Sequence, residues 1–383
     1  MSRRALVGWV LVGALAISGA ILALRGGSPA PVRARLAIAE ALSSGDLSGF
    51  ARAERPRPFA FPRDHGPHPD FRTEWWYWTG NLHGADGRRF GFQLTFFRTA
   101  LTPEAAARGS AWGANQVYLA HFAITDVAGA RFHAWSRTSR EALGLAGAES
   151  QPFRVWVEDW EARGEGNAGP PMRLRAAEGD MGLDLTLQSA KPVVLQGDRG
   201  WSRKGPEAGN ASYYYSLTRM PARGAVTVAG QRVAVTGLAW MDREWSTTAL
   251  GPELAGWDWL ALQWDDGRDL MLYRLRRKDG GVDRFSAATI VDARGDAQAL
   301  GLEEVMLEPE GAWTSPRSGA RYPARWRLRI PALGLEAEVV PVLADQELDV
   351  GVRYWEGAVT VSGSGRGGAV SGQGYLEMVG YGP

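Results

Sequence analysis

Two carboxylates, an arginine and two tryptophans crowd the segment Trp240-Met-Asp242-Arg243-Glu244-Trp245. On a β-strand, Asp242 and Glu244 face one way while Arg243 and Trp245 face the other. Like charges at i, i+2 push a proton onto one of them, the arrangement a general acid requires. The competing reading is a strand end whose carboxylates meet arginines of neighbouring strands. Glu74, in Arg72-Thr-Glu74-Trp-Trp-Tyr-Trp78, poses the same choice. Among rings it either pairs with Arg72 or Arg98, or takes up a proton and serves as an acid. Glu356 and Glu377 also lie among aromatics, in what read as the last two strands. Asp64, His65, His68 and Asp70 cluster in a Pro-rich approach to a strand. Extended backbone does not put i and i+3 side chains on one face, so no metal site is expected there. Serine-nucleophile elbows and phosphate loops are missing, and no cofactor is expected.

The elements that would carry these groups alternate with period two. Glu74, Trp76, Trp78 and Gly80 share one face, and Trp75, Tyr77 and Thr79 the other. An Asp86-Gly87 turn leads into Phe90, Phe92, Leu94 and Phe96, which predicts a hairpin. Further strands are expected near 116–125, 131–136, 154–160, 172–176, 183–188 and 213–219. Long helical patterns are missing, which disfavours a parallel βαβ architecture. The second half restarts the same pattern. Trp76-Tyr77-Trp78 followed by Gly87-Arg88 is echoed by Trp257-Asp258-Trp259 followed by Gly267-Arg268. Each is followed by an Ile-x-Asp-x-x-Gly turn, at Ile124–Gly129 and Ile290–Gly295. Two similar β-domains are therefore expected, each a sandwich or a barrel.

Composition narrows the function. The 383 residues hold 43 basic and 42 acidic side chains, a net charge of +1 with no field to hold a nucleic-acid backbone. Cysteine is absent, which removes disulfides and thiolate chemistry. The chain has 17 Trp. That surplus suggests an aromatic hollow inside closed barrels, able to hold an apolar or lipid-like ligand. Glu74, Trp76, Trp78, Trp240, Trp245, Trp257 and Trp259 are the expected ligand-binding residues. Arg3 and Arg4 precede an uncharged run from Ala5 to Leu24, long enough at about 1.5 Å per residue to cross a core of about 30 Å. This reads as an export signal or, if uncleaved, an anchor through residues 5–24. The body is then expected in the periplasm or on the outer face of the cytoplasmic membrane. The expected domains are a signal or anchor (1–30), a linker with a short helix (31–57), and two barrels (58–215 and 216–383).

Three stretches carry a family resemblance: Asp64-His-Gly-x-His68, Glu74-Trp-Trp-Tyr77-x-x-Gly80 and Gly91-Phe-Gln-Leu-Thr-Phe-Phe-Arg98. Together with Trp240–Trp245 and Gly374-Tyr-Leu-Glu377, they resemble the AttH family, relatives of the carotenoid 1,2-hydratases, over roughly residues 55–383. The resemblance implies an all-β fold of two packed lipocalin-like (calycin-type) antiparallel barrels. It also implies an exported protein that binds an apolar ligand beside ABC-type transporter components. The other function it implies is a hydro-lyase adding water to a carbon–carbon double bond, or a secreted hydrolase on a hydrophobic substrate. Asp242, Glu244 and Tyr273 would then be catalytic, with Trp240 and Trp245 nearby to stabilise a carbocation. The hydratase pattern has a histidine beside the aspartate of its Asp-x-x-Trp motif. This chain has Arg243 there, which would hold a neighbouring carboxylate ionised.

Overall fold

The computed structural model describes residues 47–104, 110, 113–166, 169–247 and 251–382. The expected export segment and residues 31–46 of the expected linker lie outside the described residues. No helix among those described is long and apolar enough to cross a membrane.

The first sheet opens with four long strands: β1 (Thr73–Gly84), β2 (Arg89–Ala100), β3 (Gln116–Asp126) and β4 (Arg131–Arg140). Five shorter ones follow: β5 (Ala146–Ser150), β6 (Phe153–Val157), β7 (Trp160–Gly164), β8 (Met172–Glu178) and β9 (Met181–Leu187). Then come β10 (Val194–Leu195), β11 (Trp201–Arg203), β12 (Ala211–Val228) and β13 (Gln231–Ser246). The second half has β14 (Leu254–Trp264), β15 (Asp269–Arg277), β16 (Ala287–Val291), β17 (Ala297–Leu300), β18 (Met306–Glu310) and the small ribbon β19 (Trp313–Thr314) and β20 (Arg321–Tyr322). It ends with β21 (Arg325–Ile330), β22 (Leu335–Pro341), β23 (Glu347–Asp349), β24 (Arg353–Gly365) and β25 (Gly368–Met378).

Every pairing is antiparallel, and the two halves share one wiring. The first sheet runs β4-β3-β2-β1-β13-β12-β9-β8-β7-β6-β5, and the second β17-β16-β15-β14-β25-β24-β22-β21-β18. In each, the opening strand pairs with its hairpin partner on one side and with the sheet's last strand on the other. The first sheet curls into a nearly closed barrel, and side chains draw its edges together. Arg137 on β4 pairs with Glu158 and Asp159 in the β6–β7 turn and with Glu178 on β8, over the Trp160 ring.

The opening hairpins match as well. Asp86 and Asp266 each accept the N–H two residues on, from Arg88 and Arg268, and Gly87 and Gly267 supply the positive φ at the tip. These turns set the true register between the halves. Tyr77, not Trp76, corresponds to Trp257, so the two Trp-x-Trp runs are out of phase by one residue. A slip of one exchanges the faces of a strand. Trp76 and Trp78 therefore enter the first barrel, whereas Trp257 and Trp259 point toward the partner barrel.

The expected hollow inside each barrel is corrected by the packing. Trp76, Trp78, Phe90, Phe92, Phe96 and Phe122 fill the first interior, and Leu262, Trp264, Trp326 and Trp355 the second. A third aromatic cluster lies between the barrels and includes Tyr77, Tyr214, Trp240, Trp259, Tyr273 and Tyr375. The domain boundary expected at 215/216 also moves. It falls within β12, and the sheets change between Ser246 and Leu254 because β12 and β13 complete the first barrel. Residues 47–57 form no regular element, yet they are strapped to that barrel. The Ala53 carbonyl accepts the Trp201 indole N–H at 2.7 Å, and the Arg55 carbonyl the Tyr213 hydroxyl at 2.9 Å.

Candidate active site

The barrels meet through the outward faces of β1, β2, β3, β12 and β13 on one side and β14, β15, β24 and β25 on the other. Buried polar ties fix the meeting. Asp269 holds Lys191 at 2.6 Å and Arg219 at 2.7 Å, and Asn81 donates to the Gly374 carbonyl at 2.9 Å. Between these faces lies a cavity of about 140 Å³. The first barrel lines it with Trp75, Tyr77, Phe97, Lys204, Tyr214, Asp242 and Glu244. The second supplies Trp257, Trp259, Tyr273, Tyr354 and Glu377.

Strand alternation delivers Asp242 and Glu244 to this cavity. Asp242 is buried and accepts three hydrogen bonds: Ser216 at 2.6 Å and the Trp240 indole at 2.7 Å on Oδ1, and the Tyr214 hydroxyl at 2.5 Å on Oδ2. Tyr214 in turn accepts the indole N–H of Trp259 at 3.1 Å, so the second barrel reaches Asp242 through one hydroxyl. Burial pushes the Asp242 carboxyl up to about 7 despite these donors, with Glu244 adding to the rise. Glu244 accepts from Ser212 and pairs with Lys204 at 3.3 Å. Burial works against the Lys204 charge, but Glu244 and Tyr273 outweigh it and hold the ammonium above its ordinary range. Tyr273 bonds Ser202 at 3.0 Å and presents its ring to that ammonium.

Across the cavity, Glu377 accepts the Trp257 indole N–H at 2.8 Å and sits directly opposite Glu356 in the β24–β25 ladder. Burial pushes both carboxyls upward; Glu377 adds to the rise at Glu356, and Asp242 and Glu244 add to the rise at Glu377. Tyr77 donates to Glu356.

Arg243 does not touch Asp242. It points into the first barrel and pairs there with Glu74, which Arg98 holds from the other side. Burial alone would raise the Glu74 carboxyl, but the two guanidiniums hold it well below the usual range. The Asp64–His68 segment folds over this pair. The Gly66 carbonyl accepts from Arg243 at 2.6 Å, and the His68 N–H donates to both Glu74 oxygens at 3.1 Å. His65 is bonded to the Tyr215 hydroxyl at 2.6 Å, and His68 lies flat on Trp245 at 3.7 Å. Among the described residues, no group of His, Asp or Glu could hold a metal ion.

The structure thus gathers Asp242, Glu244, Tyr273, Trp257 and Trp259 in one cavity, with Trp240 behind Asp242. Glu74, Trp76, Trp78 and Trp245 are elsewhere. The first is the clamped carboxylate, the next two are interior packing, and Trp245 caps the barrel end with Tyr213 and Tyr215. These four expected ligand-binding residues do not line the cavity, because the even positions of β1, and Trp245 opposite Glu74 on β13, lie on the other face of the sheet. Trp75, Tyr77 and Tyr214 were missed. Parity along their strands, once fixed by the inward Trp76 and Trp78, is the signal that finds the first two. Lys204 lies in the connection from β11 to β12 and had no sequence signal.

The AttH-like family model matches residues 52–381. The chain belongs to the AttH-like family. An AttH candidate from Nitrosomonas europaea shares 36% identity over 87% of this chain and all of that one, with a TM-score of 0.76. Kievitone hydratase from Nectria haematococca has 16% identity over 86% of this chain and 98% of its own, with a TM-score of 0.66. CghA, solved with Sch210972, has 16% identity, covers 89% and 98%, and gives 0.50. The last two likenesses are of fold alone. No curated protein matches the chain. With its AttH-like relatives, the protein shares a lipocalin-like fold of two antiparallel barrels.

Proposed function

We propose that this protein is a hydro-lyase that adds water to a carbon–carbon double bond of an apolar substrate held between the barrels. The observation that carries this reading is Asp242: a carboxyl whose burial pushes it up to about 7, which faces an aromatic cavity and has no ion-pair partner among the described residues. The fold shared with kievitone hydratase is consistent with it. Asp242 delivers its proton to the alkene carbon that leaves positive charge on the more substituted neighbour. The faces of Trp75, Trp257, Trp259 and Tyr214 stabilise that charge in a space of low dielectric. Water forms the new C–O bond and loses a proton to Glu244, which Lys204 and Ser212 hold on the same wall. Transfer of that proton back to Asp242 closes the cycle, and the net change is one water added. Substrates that protonate to a tertiary cation suit the site best.

The test is incubation with isoprenoid alkenes in H2(18)O, read by mass spectrometry. The expected result is a product carrying one labelled oxygen, lost in Asp242→Asn. Saturable quenching of tryptophan fluorescence by the same alkenes, with no product between pH 5 and pH 9, would overturn the reading and leave a binding protein.

A further inference from the structure

Asp242 is solvated by the protein as an anion would be. Ser216, Trp240 and Tyr214 all donate to it, and Tyr214 is directed to do so because its oxygen already accepts from Trp259. Hydrogen bonds of this sense favour the charged form, while burial among rings opposes it. A nearby cation would settle the conflict, but the cations within reach are engaged elsewhere. Arg243 is turned to Glu74, and Lys204 is paired with Glu244. Glu377 repeats the situation on the opposite wall, and Glu356 behind it has a fully buried oxygen, Oε2, with no hydrogen-bond partner among the described residues.

The cavity already accommodates one ammonium group on its rings. Lys204 Nζ lies 3.8 Å from the centroid of Tyr273 and 5.3 Å from that of Tyr214, beside a carboxylate. Trp75, Trp257, Trp259 and Phe97 offer further ring surface in the same space. Carboxyl groups without counter-ions, set among aromatic faces, favour a positive charge on a greasy body.

We infer that the cavity between the barrels binds an apolar monocation, a tertiary or quaternary ammonium carried on a hydrocarbon skeleton, with its charge held against Asp242. This goes beyond the hydro-lyase reading, since binding of a stable cation needs no turnover. The titratable groups around the bound charge are Tyr77 on β1, Lys204, Tyr214 on β12, Glu244 on β13, Tyr273 on β15, Tyr354 and Glu356 on β24, and Glu377 on β25. A cation stabilises ionised Asp242, so binding below about pH 7 expels a proton and affinity climbs as pH rises through that value.

The probes are benzyltrimethylammonium and its uncharged carbon isostere, (2,2-dimethylpropyl)benzene. They are titrated into the full chain by tryptophan fluorescence, and the ammonium also by calorimetry in two buffers of different ionisation heat. At pH 8.5 the ammonium should bind at least about tenfold more tightly than the isostere. That preference should shrink at pH 5.5, and proton release should accompany ammonium binding near pH 6. Asp242→Asn should lose both the preference and its pH dependence. If that variant does not fold, the wild-type comparison of the two probes decides alone. Equal affinity for the two probes, or an ammonium affinity flat between pH 5.5 and pH 8.5, would overturn the inference. Ammonium preference without alkene hydration keeps it and ends the hydro-lyase reading, and hydration without ammonium preference does the reverse.

Discussion

Glu74 and Asp242 sit on paired strands and are both buried, yet they are opposite kinds of acid. Glu74 faces the interior of the first barrel between two guanidiniums. Asp242 faces the other barrel and receives only neutral donors. The difference follows from strand parity, since Arg243 beside Asp242 in sequence is on the far side of the sheet. Two guanidiniums in a dry interior make the Glu74 carboxylate part of the scaffold. Neutral donors leave Asp242 able to exchange a proton. The second barrel repeats the contrast: Asp258 points inward to Arg274 at 2.8 Å, whereas Glu377 faces the cavity with an indole for a partner.

The contrast can be broken most severely at the two residues that define it. Asp242→Asn should cut the hydration rate by about 10²–10⁴-fold while the barrels remain folded, measured by product formation and circular dichroism. Arg243→Ala should do the reverse. Leaving Glu74 short of one charge partner in a dry interior should cost about 3–5 kcal/mol, read from urea unfolding. If Arg243→Ala were mild and Asp242→Asn unfolded the protein, the assignment of roles would be wrong.

The pH dependence of stability sharpens the same comparison because the signs differ. Glu74 is held below its unfolded value, so its contribution is present above about pH 4.5 and is lost as pH falls through its folded value. Asp242 is held above its unfolded value of 3.8. Its protonated form favours the folded state at low pH, and that contribution is lost as pH rises from about 4 to about 7. The shift corresponds to something on the order of 4 kcal/mol. Wild type should therefore lose stability across that window in urea titrations, and Asp242→Asn should flatten the slope. A smaller effect is expected from Tyr214→Phe. Removing one donor to the carboxylate should move the high-pH limb of the rate upward by about one pH unit or less. A downward movement would contradict the hydrogen-bond direction assigned here.

Much of the fold was legible in the sequence because its signals are local. Alternation, the Asp-Gly hairpin tips and the repeated opening motif are fixed by residues within a few positions of one another. Asp242 and Glu244 were likewise legible as candidates, since carboxylates amid tryptophans on a strand are costly without a purpose, whereas Tyr273 came only with the family resemblance. The place of the cavity was not. Whether Trp76 looks into a hollow or into packing depends on what the facing strands contribute, and the Trp-x-Trp echo suggested a phase that the turns correct by one residue. Glu74 illustrates the same limit. Arg98 is its cross-strand neighbour and could be named, but Arg243 arrives from a strand 169 residues away in the chain. Lys204 comes from an irregular connection whose course no pattern foretells.

Because the cavity walls belong to separate barrels, its shape can be edited from two directions without disturbing either interior. A bulkier side chain at Phe97 on one wall has room to be compensated by trimming Trp257 or Leu275 on the other. The size of the space can thus be retailored from the second barrel while Asp242 and Glu244 of the first stay in place.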